Sequence, residues 1–325
     1  MEERTVPPDD ASNEPPPPAD RLRAYLQLFR TPNVFTAIAD LTMGYLFVRP
    51  RLEPPQYYVP LLLASGLMYT AGMVLNDVFD IEIDRVERPE RPLPSGRIEL
   101  GWARQLGFEM LSAGAALAVV VAVLLRDWRP AGLAVGLAAL IVLYNRVLKA
   151  TFLGPIAMGG CRFLNVLLGM SAASAAWEGN NYLIAGGIGI YIVGVSWFAR
   201  GEAEDDIHRG PLFWGTILMA LGIVLLASYP RAHWTGGQDV AAVFRQHPEN
   251  LAWLLLAFTI GFRTVRAIVQ PYSVFVQEAV RYCLMSLITF DAIITFAHSE
   301  SIWLAGGIFA LVLPMTILGR WSYST

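Results

Sequence analysis

Residues 76–98 read NDVFDIEIDRVERPERPLPSGRI and follow directly on an uncharged apolar run that begins near residue 59. An uncharged run of that kind reads as a helix crossing a bilayer, so the aspartates fall where such a helix leaves the hydrocarbon. Asn76, Asp80 and Asp84 are spaced four and four apart, and Asp77, Asp80 and Asp84 three and four apart. On a helix these spacings put neighbouring side chains about 5 to 6 Å from one another on one face. Packed carboxylates at a membrane boundary repel and are costly unless a cation neutralises them. Oxygen ligands of this type suit Mg²⁺, which takes one or two carboxylates and completes its shell with water and substrate phosphate oxygens. Arg85, Arg88, Arg91 and Arg97 follow, in a loop stiffened by Pro89, Pro92 and Pro94. A guanidinium fork matches phosphate oxygens, so the stretch reads as a diphosphate site. The competing reading is a solvated loop whose arginines only anchor the chain on one side of the membrane.

Composition supports the membrane reading. Of 325 residues, 55% are apolar and 16% charged, with a mean hydropathy of +0.46, more than a soluble core requires. A net charge of −3 offers no basic surface for nucleic acid. Cys161 and Cys283 lie inside apolar stretches and read as small buried hydrophobes. The first twenty residues are acidic and proline-rich, and read as a disordered tail preceding one membrane domain over 21–325.

Apolar runs recur around 33–48, 59–76, 105–125, 131–148, 155–176, 182–199, 211–229, 251–265, 274–297 and 302–319. The pattern predicts an all-α, polytopic helical bundle of nine or ten transmembrane helices. The uncertain part is residues 263–273, which read either as a loop or as a break within a longer segment. Arg21, Arg23 and Arg30 precede the first run, Arg85 to Arg104 follow the second, and Arg146 and Lys149 follow the fourth. This bias predicts a cytoplasmic N-terminus. Arg146 and Lys149 fall on the same side as the aspartates and are further phosphate-binding candidates, or membrane anchors.

A second acidic cluster follows the sixth run on that same side: Glu202, Asp205 and Asp206 within ARGEAEDDIHRG, 199–210. Glu202 and Asp206 form an i, i+4 pair. They are candidates for a second metal, against a solvated cap. Inside the spans, Asp40, Arg162, Asn165 and Asp291 are polar residues in apolar surroundings. Arg162 and Asn165 share a helix face and are candidates to bind an anionic acceptor head group; the alternative pairs Arg162 with Asp40 or Asp291 to hold helices together. The four histidines show no metal spacing.

The stretch N-D-x-x-D-x-x-x-D followed by R-P-x-R-P-L-x-S-G resembles the first signature of the UbiA superfamily of intramembrane prenyltransferases. It is carried by Asn76, Asp77, Asp80, Asp84, Arg88, Pro89, Arg91, Pro92, Leu93, Ser95 and Gly96. The likeness extends to Arg30, Pro32 and Asn33 and to YNRVLKATFLGPIAMGGCRFLNVLLG, 144–169. It implies a UbiA-type fold and a prenyl diphosphate bound through Mg²⁺ at the mouth of a cavity open to lipid. It further implies transfer of the prenyl group to an aromatic or other lipid-soluble acceptor. Metal ligation then falls to Asn76, Asp80, Asp84, Glu202 and Asp206, with Asp77 and Asp205 beside them, and substrate binding to Arg88, Arg91, Arg146, Lys149, Arg162 and Asn165. The chain departs from the pattern in its second motif, where Arg209 stands at the third acidic position. With the GP-x-x-MG-x-CR-x-x-N segment, that departure resembles the UbiA-like branch of bacterial ebo gene clusters, which implies a bacterial plasma membrane. The eroded motif also keeps open a non-catalytic protein that binds or moves an isoprenoid. A CDP-alcohol phosphotransferase would need a D-G-x-x-A-R segment that the sequence lacks.

Overall fold

The computed structural model describes residues 18–200, 208–229 and 247–322, which form helices and turns without a strand. An amphipathic helix α1 (Pro18–Leu28) precedes α2 (Thr31–Val48), α3 (Pro55–Phe79) and a two-turn α4 (Ile81–Glu87). Then come α5 (Leu100–Leu125), α6 (Arg129–Arg146), a 3₁₀ turn at Leu148–Ala150, α7 (Gly154–Met170), α8 (Gly179–Arg200) and α9 (Arg209–Ala227). The chain closes with α10 (Glu249–Val269), α11 (Ser273–Ser299), α12 (Ile302–Phe309) and α13 (Val312–Ser322). Several helices start where sequence dictates: proline occupies the first turn of α2, α3, α6 and α7, where its missing N–H costs nothing.

Each apolar run forms a helix over most of its length, and among the described residues seven segments are long and apolar enough to cross a membrane: α3, α5, α8, α9, α10, α11 and Ile302–Gly319. α2, α6 and α7, of 18, 18 and 17 residues, fall short of that length or hydropathy, so the expected nine or ten spans are not all matched. Residues 263–273 are neither a full loop nor an irregular break, because α10 continues to Val269 and only Gln270–Tyr272 turn the chain. The last run does break, at Ala310 and Leu311. Pro314 accounts for it, since proline lacks the N–H and clashes with the carbonyl four residues earlier.

Two apolar cores flank a shared pair of helices. α2 and α7 contribute Leu41, Tyr45 and Leu168 to a core with α3, α5 and α6. Their other faces, through Ala39, Met43, Val166 and Met170, join α8, α9, α10 and α11. The pair sits with backbones in contact. A Cβ on Gly44 would collide with the Val166 carbonyl oxygen, and one on Gly169 with the Leu41 carbonyl oxygen, so only glycine allows this crossing. A third, smaller cluster ties Ala24 and Leu28 of α1 to Val74, Val78, Ile81, Leu93 and Ile98. It clamps the end of α3 and the loop after α4 against α1, which is what holds the aspartates in place.

Candidate functional site

The aspartates straddle a helix break. α3 ends at Phe79, Asp80 leaves helical geometry with φ −92° and ψ 3°, and α4 begins at Ile81. The hydrogen-bond ladder nonetheless continues across it: Asp80 N–H donates to Asn76 O at 3.0 Å, Asp84 N–H to Asp80 O at 2.8 Å and Arg88 N–H to Asp84 O at 2.9 Å. The four-residue spacing therefore survives, and the acids stay on one face as the sequence predicts. Asp77 and Asp84 are buried, while Asn76 and Asp80 are half-buried.

Each carboxylate is held by a cation from a different part of the chain. Arg30 Nη2 donates to Asp77 Oδ1 at 3.0 Å. Arg91 Nη1 reaches both oxygens of Asp84, at 3.0 and 2.8 Å, and lies 3.7 Å from Asp77 Oδ1. Lys149 Nζ donates to Asp80 Oδ1 at 2.5 Å. Arg30 caps α2 in the left-handed region, φ 44°; a non-glycine residue held there costs about 1 kcal/mol or more, a cost accepted where the side chain must reach Asp77. Lys149 sits in the 3₁₀ turn, whose Lys149 and Thr151 carbonyls both accept from Arg200 Nη2. Gly154 leaves room for that arginine, because a Cβ there would lie 2.6 Å from Arg200 Nη2.

The other expected residues distribute unevenly. Arg85 is not in a loop as expected but on exposed α4, where it pairs with Glu82 at 2.8 Å; the helix outlasts Asp84 because no proline intervenes before Pro89. Arg88 caps α4 and is exposed. Arg97 fastens the loop, donating to Ser95, Gln27 and the Glu90 carbonyl. Arg146 is exposed and borders an open groove between α5 and α6, away from the aspartates. Glu202, Asp205 and Asp206 lie outside the described residues, and Arg209 is exposed at the start of α9.

One turn back along α3 from Asn76 and Asp77, Gly72 and Met73 border a cavity lined almost wholly by apolar atoms of α2, α3, α6 and α7. Met68, Met73 and Met158 line its walls, Tyr144 and Asn145 one side, and Arg162 and Asn165 another. Both of the last two are already engaged within the bundle, each with N–H donors left over. Arg162 Nη1 donates to Asp40 Oδ2 at 2.6 Å and Nη2 to Thr36 Oγ1 at 2.7 Å, and the guanidinium lies 5.2 Å from the Tyr69 ring centre. Asn165 donates to the Ala37 carbonyl at 2.9 Å and accepts from Ser65 at 2.7 Å. Asp291 on α11 is fully buried beside the Asp40–Arg162 pair, with neither oxygen hydrogen-bonded among the described residues. The residues that sequence reasoning did not assign to the site are Arg30, Tyr144, Asn145 and Arg200. Arg30 is part of the family likeness and Tyr144 and Asn145 open the YNRVLK stretch, so each carried a signal; the role of Arg200 depends on packing alone.

The donor set at the rim is all oxygen: three carboxylates and the Asn76 amide. That chemistry fits a hard divalent cation, with one condition. No cluster of three acidic, histidine or cysteine side chains is arranged to hold a metal among the described residues, and Arg30, Arg91 and Lys149 stand on the carboxylate oxygens. A metal would displace them, and the released cations would then face the same anion.

Fold and site together define an integral membrane helical bundle with an acid–base rim beside an apolar cavity. The UbiA prenyltransferase family matches residues 37–229, and the chain belongs to that family. Among curated relatives, the digeranylgeranylglyceryl phosphate synthase of Sulfolobus acidocaldarius is 33% identical over 158 residues, covering 49% of this chain and 52% of that protein. The chain spans about half the length of the curated relatives it matches. A solved structure of digeranylgeranylglyceryl phosphate synthase in membranes superposes with a TM-score of 0.59 at 20% identity, over 89% of this chain and 99% of that one. A UbiA homologue from Archaeoglobus fulgidus bound to GPP and Mg²⁺ gives 0.57 at 17%, over 82% and 99%. At such identities the likeness of the structures is one of fold.

Proposed function

We propose that the protein is a divalent-metal-dependent intramembrane prenyltransferase that moves a polyprenyl group from its diphosphate to a lipid-soluble acceptor, aromatic or otherwise. The observation that carries this reading is the row Asp77, Asp80 and Asp84, each clamped by its own cation, one turn along α3 from an apolar cavity. An amphiphile with a diphosphate head and an isoprenoid tail fits both halves: the rim takes the charge and the cavity takes the tail. The relatives named digeranylgeranylglyceryl phosphate synthase and the homologue bound to GPP and Mg²⁺ support the same substrate class.

Asn76, Asp80 and Asp84 would hold Mg²⁺, which when bound supplies positive charge to the leaving diphosphate. Arg91 and Lys149 bind phosphate oxygens once they leave their carboxylates, and Arg30 steadies Asp77. Charge building on the diphosphate as the allylic carbon–oxygen bond breaks is stabilised by these cations. The methionine- and tyrosine-lined cavity keeps water from the allylic cation, which water would otherwise capture. Glu202 and Asp206 are the candidates for a second metal. The basic flanks support a rim that faces the cytoplasm.

The test is incubation of detergent-purified protein with Mg²⁺ and radiolabelled geranylgeranyl diphosphate, with and without a lipid and quinone-precursor extract, following diphosphate release. Release that requires Mg²⁺, the extract and Asp80 is the expected result. Mg²⁺-dependent binding without release under every acceptor condition would favour a non-catalytic isoprenoid binder, the reading that Arg209 in the second motif leaves standing. Binding unaffected by Asp80→Ala or Asp84→Ala would remove the metal assignment.

A further inference from the structure

The hairpin of α10 and α11 carries a second charged pocket, built from none of the rim residues. Its physical origin is a short apolar stretch. From Leu251 to Phe262, α10 runs twelve residues without a charge, about 18 Å of helix at 1.5 Å per residue, against a hydrocarbon core about 30 Å thick. Arg263 and Arg266 follow directly on that stretch and so come near the depth of the lipid phosphates, where a guanidinium pairs with an anion, stacks on a ring or snorkels to the interface.

Arg263 has that anion. Its Nη1 donates to Glu278 Oε1 of α11, and its guanidinium lies 4.4 Å from the Tyr282 ring centre. Arg266 has none. It stacks 3.9 Å over the Phe275 ring and pairs with no carboxylate among the described residues. Because all five guanidinium donors lie in its plane, stacking on a ring leaves the edge open to a bidentate acceptor. Phe258, Phe262, Arg263, Arg266, Phe275 and Glu278 line one pocket. Two guanidiniums against one carboxylate leave it one net positive charge. Phe258 and Phe262, 71% and 61% exposed, stack with ring centres 6.5 Å apart on the helix face that continues from the pocket into the apolar stretch.

We propose that this pocket binds the phosphate of an anionic glycerophospholipid. Arg266 grips the phosphate edge-on, and an acyl chain lies along Phe258 and Phe262. A lipid is the occupant to which both parts point: the charge asks for an anion, and the exposed aromatic pair below it asks for a hydrocarbon chain attached to that anion.

Native mass spectrometry of the whole detergent-purified protein, titrated with phosphatidylglycerol or with phosphatidylcholine of the same chains, tests this. The expected result is one phosphatidylglycerol retained at about fivefold to tenfold lower concentration than phosphatidylcholine, the worth of roughly one arginine–phosphate contact near a membrane. Arg266→Gln is expected to erase that preference, while Arg266→Lys, which keeps the charge and loses the fork, retains part of it. Mg²⁺-dependent prenyl diphosphate binding stays unchanged in both variants. No preference in the unsubstituted protein, or a preference that persists in Arg266→Gln, would overturn the proposal. So would displacement of the lipid by inorganic phosphate at equal concentration, which would make the pocket a free-anion site. The wild-type comparison of the two lipids needs no variant, so a Gln substitution that fails to fold leaves the test intact.

Discussion

Lys149→Gln separates two jobs that the rim gives to one side chain. Lys149 Nζ holds Asp80 Oδ1 at 2.5 Å, with the two side chains 21% and 19% exposed, so the pair is shielded enough for its charge to count. A charge-assisted hydrogen bond of this kind contributes about 1.5 to 3 kcal/mol, and a metal seeking Asp80 must overcome it. Removing the ammonium lowers that barrier to entry. At 1.4 kcal/mol per tenfold, the metal alone should bind about tenfold more tightly to Lys149→Gln, by calorimetric titration of Mg²⁺ or by electron paramagnetic resonance of Mn²⁺. Affinity for prenyl diphosphate in saturating Mg²⁺ should move the other way and fall about tenfold or more, because the released ammonium is then a phosphate ligand. The opposite signs are the point of the experiment. If both affinities fall together, Lys149 supports the fold of the rim and does not exchange partners. If neither moves, the Asp80 contact plays no part in binding.

Three further outcomes follow from other parts of the structure. Gly169→Ala pushes a methyl group into the Leu41 carbonyl and should cost about 1 to 3 kcal/mol, read as a lowered unfolding temperature in detergent. Gly132→Ala on α6, where nothing lies within 4 Å, should leave that temperature unlowered or raise it slightly, since alanine favours a helix over glycine by about 0.5 to 1 kcal/mol. Arg162→Met strands Asp40 and should destabilise the bundle by about 3 to 5 kcal/mol; the double variant Asp40→Asn, Arg162→Met should recover most of the loss, and no recovery would mean that Arg162 acts by packing rather than charge. Outside the membrane, a hydrogen bond from the Arg129 guanidinium holds the Asp127 carboxyl below its ordinary range. A carboxyl lowered on folding contributes stability above its unfolded value of about 4 and loses it as pH falls through the lower folded value. Asp127→Asn should therefore unfold earlier than the unsubstituted protein at pH 7 and at pH 5, with the difference closing towards pH 3.

Legibility followed the range of the interaction. Asp77, Asp80 and Asp84 could be placed on one face because spacing within a helix depends only on the chain's own periodicity, and their hydrogen-bond ladder carries that periodicity across the break at Asp80. Arg91, seven residues from Asp84, was within reach of the same reasoning. Arg30 stands 47 residues from Asp77, and Lys149 stands 69 from Asp80. Their membership of the rim was signalled by charge and by family likeness, but which carboxylate each holds was not.

What the sequence determined by itself was a membrane-embedded, all-helical chain of a particular family, with an acidic face at the end of its second apolar run. Those properties come from hydropathy and local spacing, which act along a single segment. Only the tertiary structure decided that every acid of that face already has a cation, that Arg162 answers to Asp40 across 122 residues, and that Arg266 meets an aromatic ring and, among the described residues, no carboxylate. Charge pairing in a low-dielectric bundle depends on which helices touch and at what depth. That is set by backbone contacts such as Gly44 on Val166 and Gly169 on Leu41, and no spacing along one helix encodes them.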